Sequence, residues 1–171
     1  MDITDLILDE HHQQRRLFLE IADLAANGDK AALKAVWAQL RGLLDRHAEA
    51  EERFFYPELL KVGCGAADSD SASDETRDAI KDHNEIRDSA AKVDKLNAGS
   101  DEWFKAVAET NKANGDHMAE EERQGLSDFR RHADPGLRER LGEQFARFSA
   151  EHLTGVPPVD KDVDAYVKEH S

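Results

Sequence analysis

The chain has 171 residues, 39% hydrophobic and 35% charged, and its 37 acidic and 23 basic side chains give a formal net charge of −14. One domain of this length buries a real core, and the sign of the charge argues against partners such as nucleic acid or an anionic membrane surface. The single cysteine, Cys64, excludes a disulfide framework and a cysteine-rich metal site.

No apolar run approaches the roughly 20 residues of a membrane span. The N-terminus lacks a basic region followed by an apolar stretch, so a cytoplasmic location is expected. Hydropathy periodicity predicts helices along the chain. The first is expected over residues 3–26, stopped by Asn27-Gly28. Asp29 caps a second long helix through Leu33, Trp37, Leu40, Leu44, Phe55 and Leu59, ending near Gly63, with Pro57 kinking its last turns. Residues 63–73 are a low-complexity loop. A third helix is expected over residues 74–96, and a fourth, capped by Ser100 or Asp101, runs to His132. Asp134-Pro135 reads as the cap and first position of a shorter fifth helix ending near Ala150. Residues 151–171 are expected as a tail holding one more helical turn near 163–167. The expected fold is all-α: an up-down-up-down four-helix bundle with a short fifth helix in residues 1–150, then the tail.

The two hairpins resemble each other. His47-Ala-Glu-Ala-Glu51-Glu52-Arg53 in the second helix matches His117-Met-Ala-Glu-Glu121-Glu122-Arg123 in the fourth. Glu10-His11 with Arg15 matches Asp82-His83 with Arg87. Residues four apart on a helix point the same way, so His47 with Glu51, and His117 with Glu121, can each offer an imidazole nitrogen and a carboxylate oxygen to one centre. Imidazole with carboxylate suits iron, manganese or zinc. His47 and Glu51 fall within the apolar stripe of their helix, where a buried charged pair is costly unless compensated. A bound cation is the simplest compensation. On the first helix His11 lies at the edge of the apolar stripe and His12 faces solvent. His83 sits among Ile80, Ile86, Ala90 and Val93, near the buried side. His132, His152 and His170 fall near helix ends or in the tail and are read as solvated. Trp37 and Trp103 are read as packing, and Cys64 as incidental.

This ordered set resembles the hemerythrin-like family of histidine- and glutamate-rich cation-binding domains, over about residues 1–130. The resemblance rests on His11 and His83, each after an acidic residue, on His47-x-x-x-Glu51 and His117-x-x-x-Glu121, and on Phe54-Phe55-Tyr56-Pro57. It implies two non-haem irons held by His11, His47, His83 and His117, bridged by Glu51, Glu121 and a solvent oxygen (oxo or hydroxo). The chain departs from the oxygen-carrying hemerythrins in having Ala79 where they have a further histidine. They also space the fourth-helix histidine and acid by five, where this chain has Glu122, so Glu122 stays open as the alternative to Glu121. The missing histidine leaves open metal positions, which favours ligand activation over reversible carriage. The expected function is reaction with peroxide or dioxygen, most concretely catalase-like disproportionation of hydrogen peroxide. The alternative is a non-enzymatic sensor of iron, oxygen or nitric oxide. An ideal helix turns Tyr56 roughly 140° from Glu51, onto the surface or a helix interface. A bulge at Pro57 would instead swing it toward the metals as a catalytic residue. Ferritin-like Glu-x-x-His pairs at these histidines and the His-Glu-x-x-His of zinc peptidases are both absent.

Overall fold

The computed structural model describes residues 1–26, 28–67 and 69–171, and these contain helices but no strand. In chain order they are α1 (Ile3–Ala25), α2 (Lys30–Ala50), α3 (Tyr56–Val62), α4 (Ala72–Val93), α5 (Asp101–Arg123), α6 (Gly125–His132), α7 (Pro135–Glu151) and α8 (Val163–His170). A π-helical turn, Glu51–Phe55, joins α2 to α3. Asp29, Ser100 and Asp134 accept backbone N–H groups at the starts of α2, α5 and α7, and Ser71 does so for α4. Gly28, with φ of 65°, supplies the left-handed turn after α1, while its expected companion Asn27 lies outside the described residues. Asp68 of the expected loop does too. No described helix is long and apolar enough to cross a membrane.

The α1–α2 and α4–α5 hairpins pack together, with α1 against α5 and α2 against α4. Two apolar clusters fill the bundle. One gathers Leu17, Ile21, Leu33, Leu40, Val93 and Trp103, with Trp37 and Trp103 edge to face. The other gathers Ile3, Ile7, Phe55, Leu59, Ile80 and Phe129, with Phe145 and Phe148 from α7. Between them lies a slab of buried polar side chains that includes Glu10, His11, Gln14, His47, Glu51, Glu52, His83, Asn114, His117 and Glu121. Burying so many polar groups between two greasy layers is unfavourable unless they satisfy one another or a ligand.

The fourth helix does not run unbroken to His132. It breaks at Gln124 (φ −101°, ψ −88°), and α6 sets off from there, burying Leu126 and setting Phe129 edge to face with Phe55. The second helix holds a change of register just before Pro57 rather than a simple kink. The Tyr56 N–H bonds to the Glu51 carbonyl, five residues back, instead of to Glu52. In that register the Glu52 carbonyl faces residue 57, and proline has no N–H to give. The missing donor comes from the far end of the chain: the Tyr166 hydroxyl of α8 donates to the Glu52 carbonyl at 2.6 Å. The segment expected as a tail is therefore packed on α3 and α4, with Tyr166 and Val167 buried. Gly42 and Gly155 permit this return of the chain, since a Cβ on Gly42 would sit 2.7 Å from the Thr154 carbonyl oxygen. Tyr166→Phe is expected to destabilise the protein by about 1–3 kcal/mol, the cost of an unpaired buried carbonyl. Urea denaturation measures it, and an unchanged midpoint would mean that the carbonyl finds another donor.

Candidate metal centre

α1, α2, α4 and α5 each turn one histidine into the polar slab, and all four are buried. His11, His47, Glu51 and Glu121 place one donor atom each within 4.8 Å of one another. Glu51, His83 and His117 form a second such group, so Glu51 belongs to both. Its Oε1 lies 2.9 Å from His47 Nε2 and its Oε2 lies 3.2 Å from His83 Nε2. Glu121 Oε2 lies 3.2 Å from His11 Nε2. Glu122, one residue on, stands behind His11 instead, with Oε1 2.9 Å from Nδ1. The helix phase puts Glu121 inside and Glu122 at the rim.

Each of these four histidines has its Nε2 pointing inward and a carboxylate on the Nδ1 side. Glu122 holds His11, Glu10 holds His47 and Glu52 holds His83, each at 2.9 Å, and Asp82 lies 3.5 Å from His117. A carboxylate only accepts, so each close Nδ1 carries the proton and donates it. Such a partner fixes the tautomer and raises the basicity of the nitrogen left for a metal. Three of the four carboxylates are in turn held by arginine: Glu122 by Arg15, Glu10 by Arg46 and Glu52 by Arg87. Among the described residues Asp82 has no such partner. The acids preceding His11 and His83 thus serve the histidines of neighbouring helices, His47 and His117. The repeat in the sequence displayed these residues, but not which histidine each would hold.

The electrostatics of the slab are those of a site awaiting positive charge. Burial opposes the charged form of His47, but Glu51 and Glu10 outweigh it and push its pKa up to about 10. His83 is buried too, and Glu51 with Glu52 raises it to about 9. Burial also opposes charge on Glu51, yet His47 and His83 hold it well below the usual carboxylate range. Hydrogen bonding to His11, with Arg15 beside it, lowers Glu122 to about 2.

The π turn carries Tyr56 into the interior. Its hydroxyl donates to Glu121 Oε1 at 2.5 Å, and burial beside Glu121 keeps the phenol protonated to well above its ordinary pKa. A cavity of about 10 Å³, room for roughly one water, opens beside Tyr56, Ala79, His117 and Glu121. Ala79 lies on this wall. His12 and His132 are exposed and His152 and His170 partly exposed, the last three bonded to their own helices.

A metal fits this donor set. The inward Nε2 atoms of His11 and His47, both oxygens of Glu51 and Oε2 of Glu121 have no hydrogen-bond partner. His83 and His117 bring their Nε2 atoms to 3.2 Å, where lone pairs would repel unless a proton or cation lay between. Four imidazoles and two carboxylates suit a divalent first-row metal. The sequence profile of the Hemerythrin HHE cation binding domain matches residues 2–126, which contain every one of these donors. No curated protein and no solved structure matches the chain. With that profile covering most of its length, and its histidines and glutamates converging in one buried layer, the chain belongs to the hemerythrin HHE cation-binding domain family.

Proposed function

We propose that the protein holds two iron ions and disproportionates hydrogen peroxide. His11, His47, Glu51 and Glu121 would hold one ion, and Glu51, His83 and His117 the other. The observation that carries the reading is the convergence of unpartnered Nε2 and carboxylate atoms into two groups sharing Glu51. The chemistry supplied by such a pair is two-electron redox: one peroxide gives up two electrons and two protons to leave as dioxygen, and a second takes them up to leave as two waters.

The protein's own part is positioning and exclusion. The Nδ1 partners hold each ring with Nε2 free. With Ala79 in place of a further histidine, the second group has three protein donors against four for the first. The adjoining cavity of about 10 Å³, room for about one water, is too small for organic substrates. Tyr56, protonated and bonded to Glu121, occupies one oxygen of that carboxylate.

Metal analysis with an optical spectrum, then peroxide addition with oxygen release followed, tests this reading. About two irons per chain and sustained oxygen evolution support it. Two irons that bind a diatomic ligand without turnover would replace it with the sensing alternative, and folded protein that refuses iron would remove both. Tyr56→Phe is expected to keep its metal but lose turnover by about 10–100-fold, the range for outer partners of a ligand. Unchanged turnover would take Tyr56 out of the site.

A further inference from the structure

The four histidine–carboxylate pairs are not equivalent. Arginine neutralises the carboxylates behind His11, His47 and His83, whereas Asp82, behind His117, has no arginine or lysine partner among the described residues and a side chain 26% exposed. Asp82 stands on the wall of the small cavity, and four more carboxylates share that wall: Glu75, Asp78, Glu120 and Glu121. Among the described residues no lysine or arginine lines it. Asp78 and Glu120 lie toward the surface and Glu121 reaches the metal centre, so the acids run from solvent to ligand.

Glu75 is the informative member. It is 5% exposed, and its Oε1 accepts the Ala66 N–H at 2.8 Å. Its Oε2, equally buried, receives no hydrogen bond from a protein donor, while the Asp128 carboxylate faces the Glu75 side chain. An unpaired carboxylate oxygen beside a cavity is costly, and a passing cation is a partner of the right charge. Burial, with the Asp128 carboxylate beside it, raises the Glu75 pKa to about 7.

Resting on the metal-centre reading above, we propose that Glu75, Asp78, Asp82 and Glu120 form a transit site through which divalent cations reach His117 and Glu121. Clefts lined by one sign of charge raise the on-rate of an oppositely charged ligand by about 10–1,000-fold. Here the ligand is a hydrated ferrous ion. It would exchange waters for carboxylate oxygens on the way in, whereas the three arginine-neutralised carboxylates attract it less.

The test is the rate of ferrous uptake by metal-free protein under anaerobic conditions, stopped at intervals with a ferrous-selective chelator, with the final metal content measured separately. Glu75→Gln keeps the oxygen that accepts from Ala66, and Asp78→Asn with Glu120→Gln alters only the outer wall. Each variant is expected to load about 10-fold more slowly than wild type to the same final content, with a weaker dependence of rate on salt. Glu20→Gln with Asp23→Asn, on the exposed face of α1, removes the same charge at the far end of the bundle and is expected to load at the wild-type rate. Equal rates in all four proteins, or equal slowing in the α1 control, would overturn the transit site and leave the metal centre standing. Wild-type protein that takes up no ferrous ion would remove the metal centre itself.

Discussion

With two ions held as proposed, Glu51→Ala is expected to abolish binding of both, whereas His47→Ala or His83→Ala is expected to remove only one. Glu51 is the donor common to the two groups, and each histidine belongs to one of them. The effect should exceed the roughly 10–100-fold in affinity that an outer partner contributes, because a ligand to both ions is lost at once. The metal-free variant tests the electrostatics separately. Glu51 is the leading charge raising His47, so its removal should let that ring lose its proton near neutral pH, where the wild-type ring keeps it up to about 10. Metal analysis after dialysis reads the stoichiometry, NMR titration of the imidazoles reads the protonation, and circular dichroism checks that the variant is folded. Two ions retained by Glu51→Ala would show that the two groups do not share a ligand.

Stripping the metal is expected to lower stability by an amount that grows as pH rises from 6 to 9. In metal-free protein the positive charge of the slab comes from protons on His47 and His83, with folded-state pKa values of about 10 and 9 against an ordinary 6.5. A group whose pKa is raised on folding contributes fully below 6.5, and the contribution is lost as pH climbs through the folded value. Glu10, Glu51 and Glu52 have lowered values, so their contribution is present above 4.5 and lost on acidification. Metal-free protein should therefore be most stable between about pH 4.5 and 6.5. The loaded protein follows the opposite trend above that range, since metal competes with fewer protons. A ligand at about 1,000 times its dissociation constant adds about 4 kcal/mol per site, so the melting temperatures should separate widely by pH 9. Loading at pH 7 should also release protons, one each from His47 and His83 and a further share from His11, where burial opposes charge but Glu121 and Glu122 raise the pKa. Melting curves at several pH values, with a pH indicator in weak buffer during loading, measure both effects. Parallel curves with no proton release would show that protons and metal do not occupy the same slab.

The outer carboxylates connect these two expectations. Each holds an imidazole by the nitrogen that metal does not need, so a ring can pass from proton to metal without moving. Glu10 links that layer to the outer helix as well, since Ser149 of α7 donates to its Oε1. Lys161 approaches both Glu49 and Glu52, and its backbone N–H donates to Asn84. The C-terminal segment thus braces the π turn from outside, beyond the residues that match the family profile.

What the sequence determined by itself was whatever the α-helical period controls. A spacing of four puts His47 with Glu51 and His117 with Glu121 on shared faces, the apolar stripes turn those faces inward, and caps such as Asp29, Ser100 and Asp134 mark where helices begin. These are local consequences of 3.6 residues per turn, and they sufficed for the fold class and for drawing His11 and His83 toward the same layer. Tertiary structure decided the pairings between helices. Glu121 and Glu122 lie next to each other in the chain, and only the packing of α5 against α1 puts one at the centre and the other behind His11. Glu10 and Asp82 precede their own histidines but hold those of neighbouring helices, a relation that no single-helix period encodes. Tyr56 depended on the farthest contact of all. The missing N–H of Pro57 makes an extra residue in the helix tolerable, but the register settles only when Tyr166, more than a hundred residues later, donates to the freed Glu52 carbonyl and Glu121 accepts the Tyr56 hydroxyl.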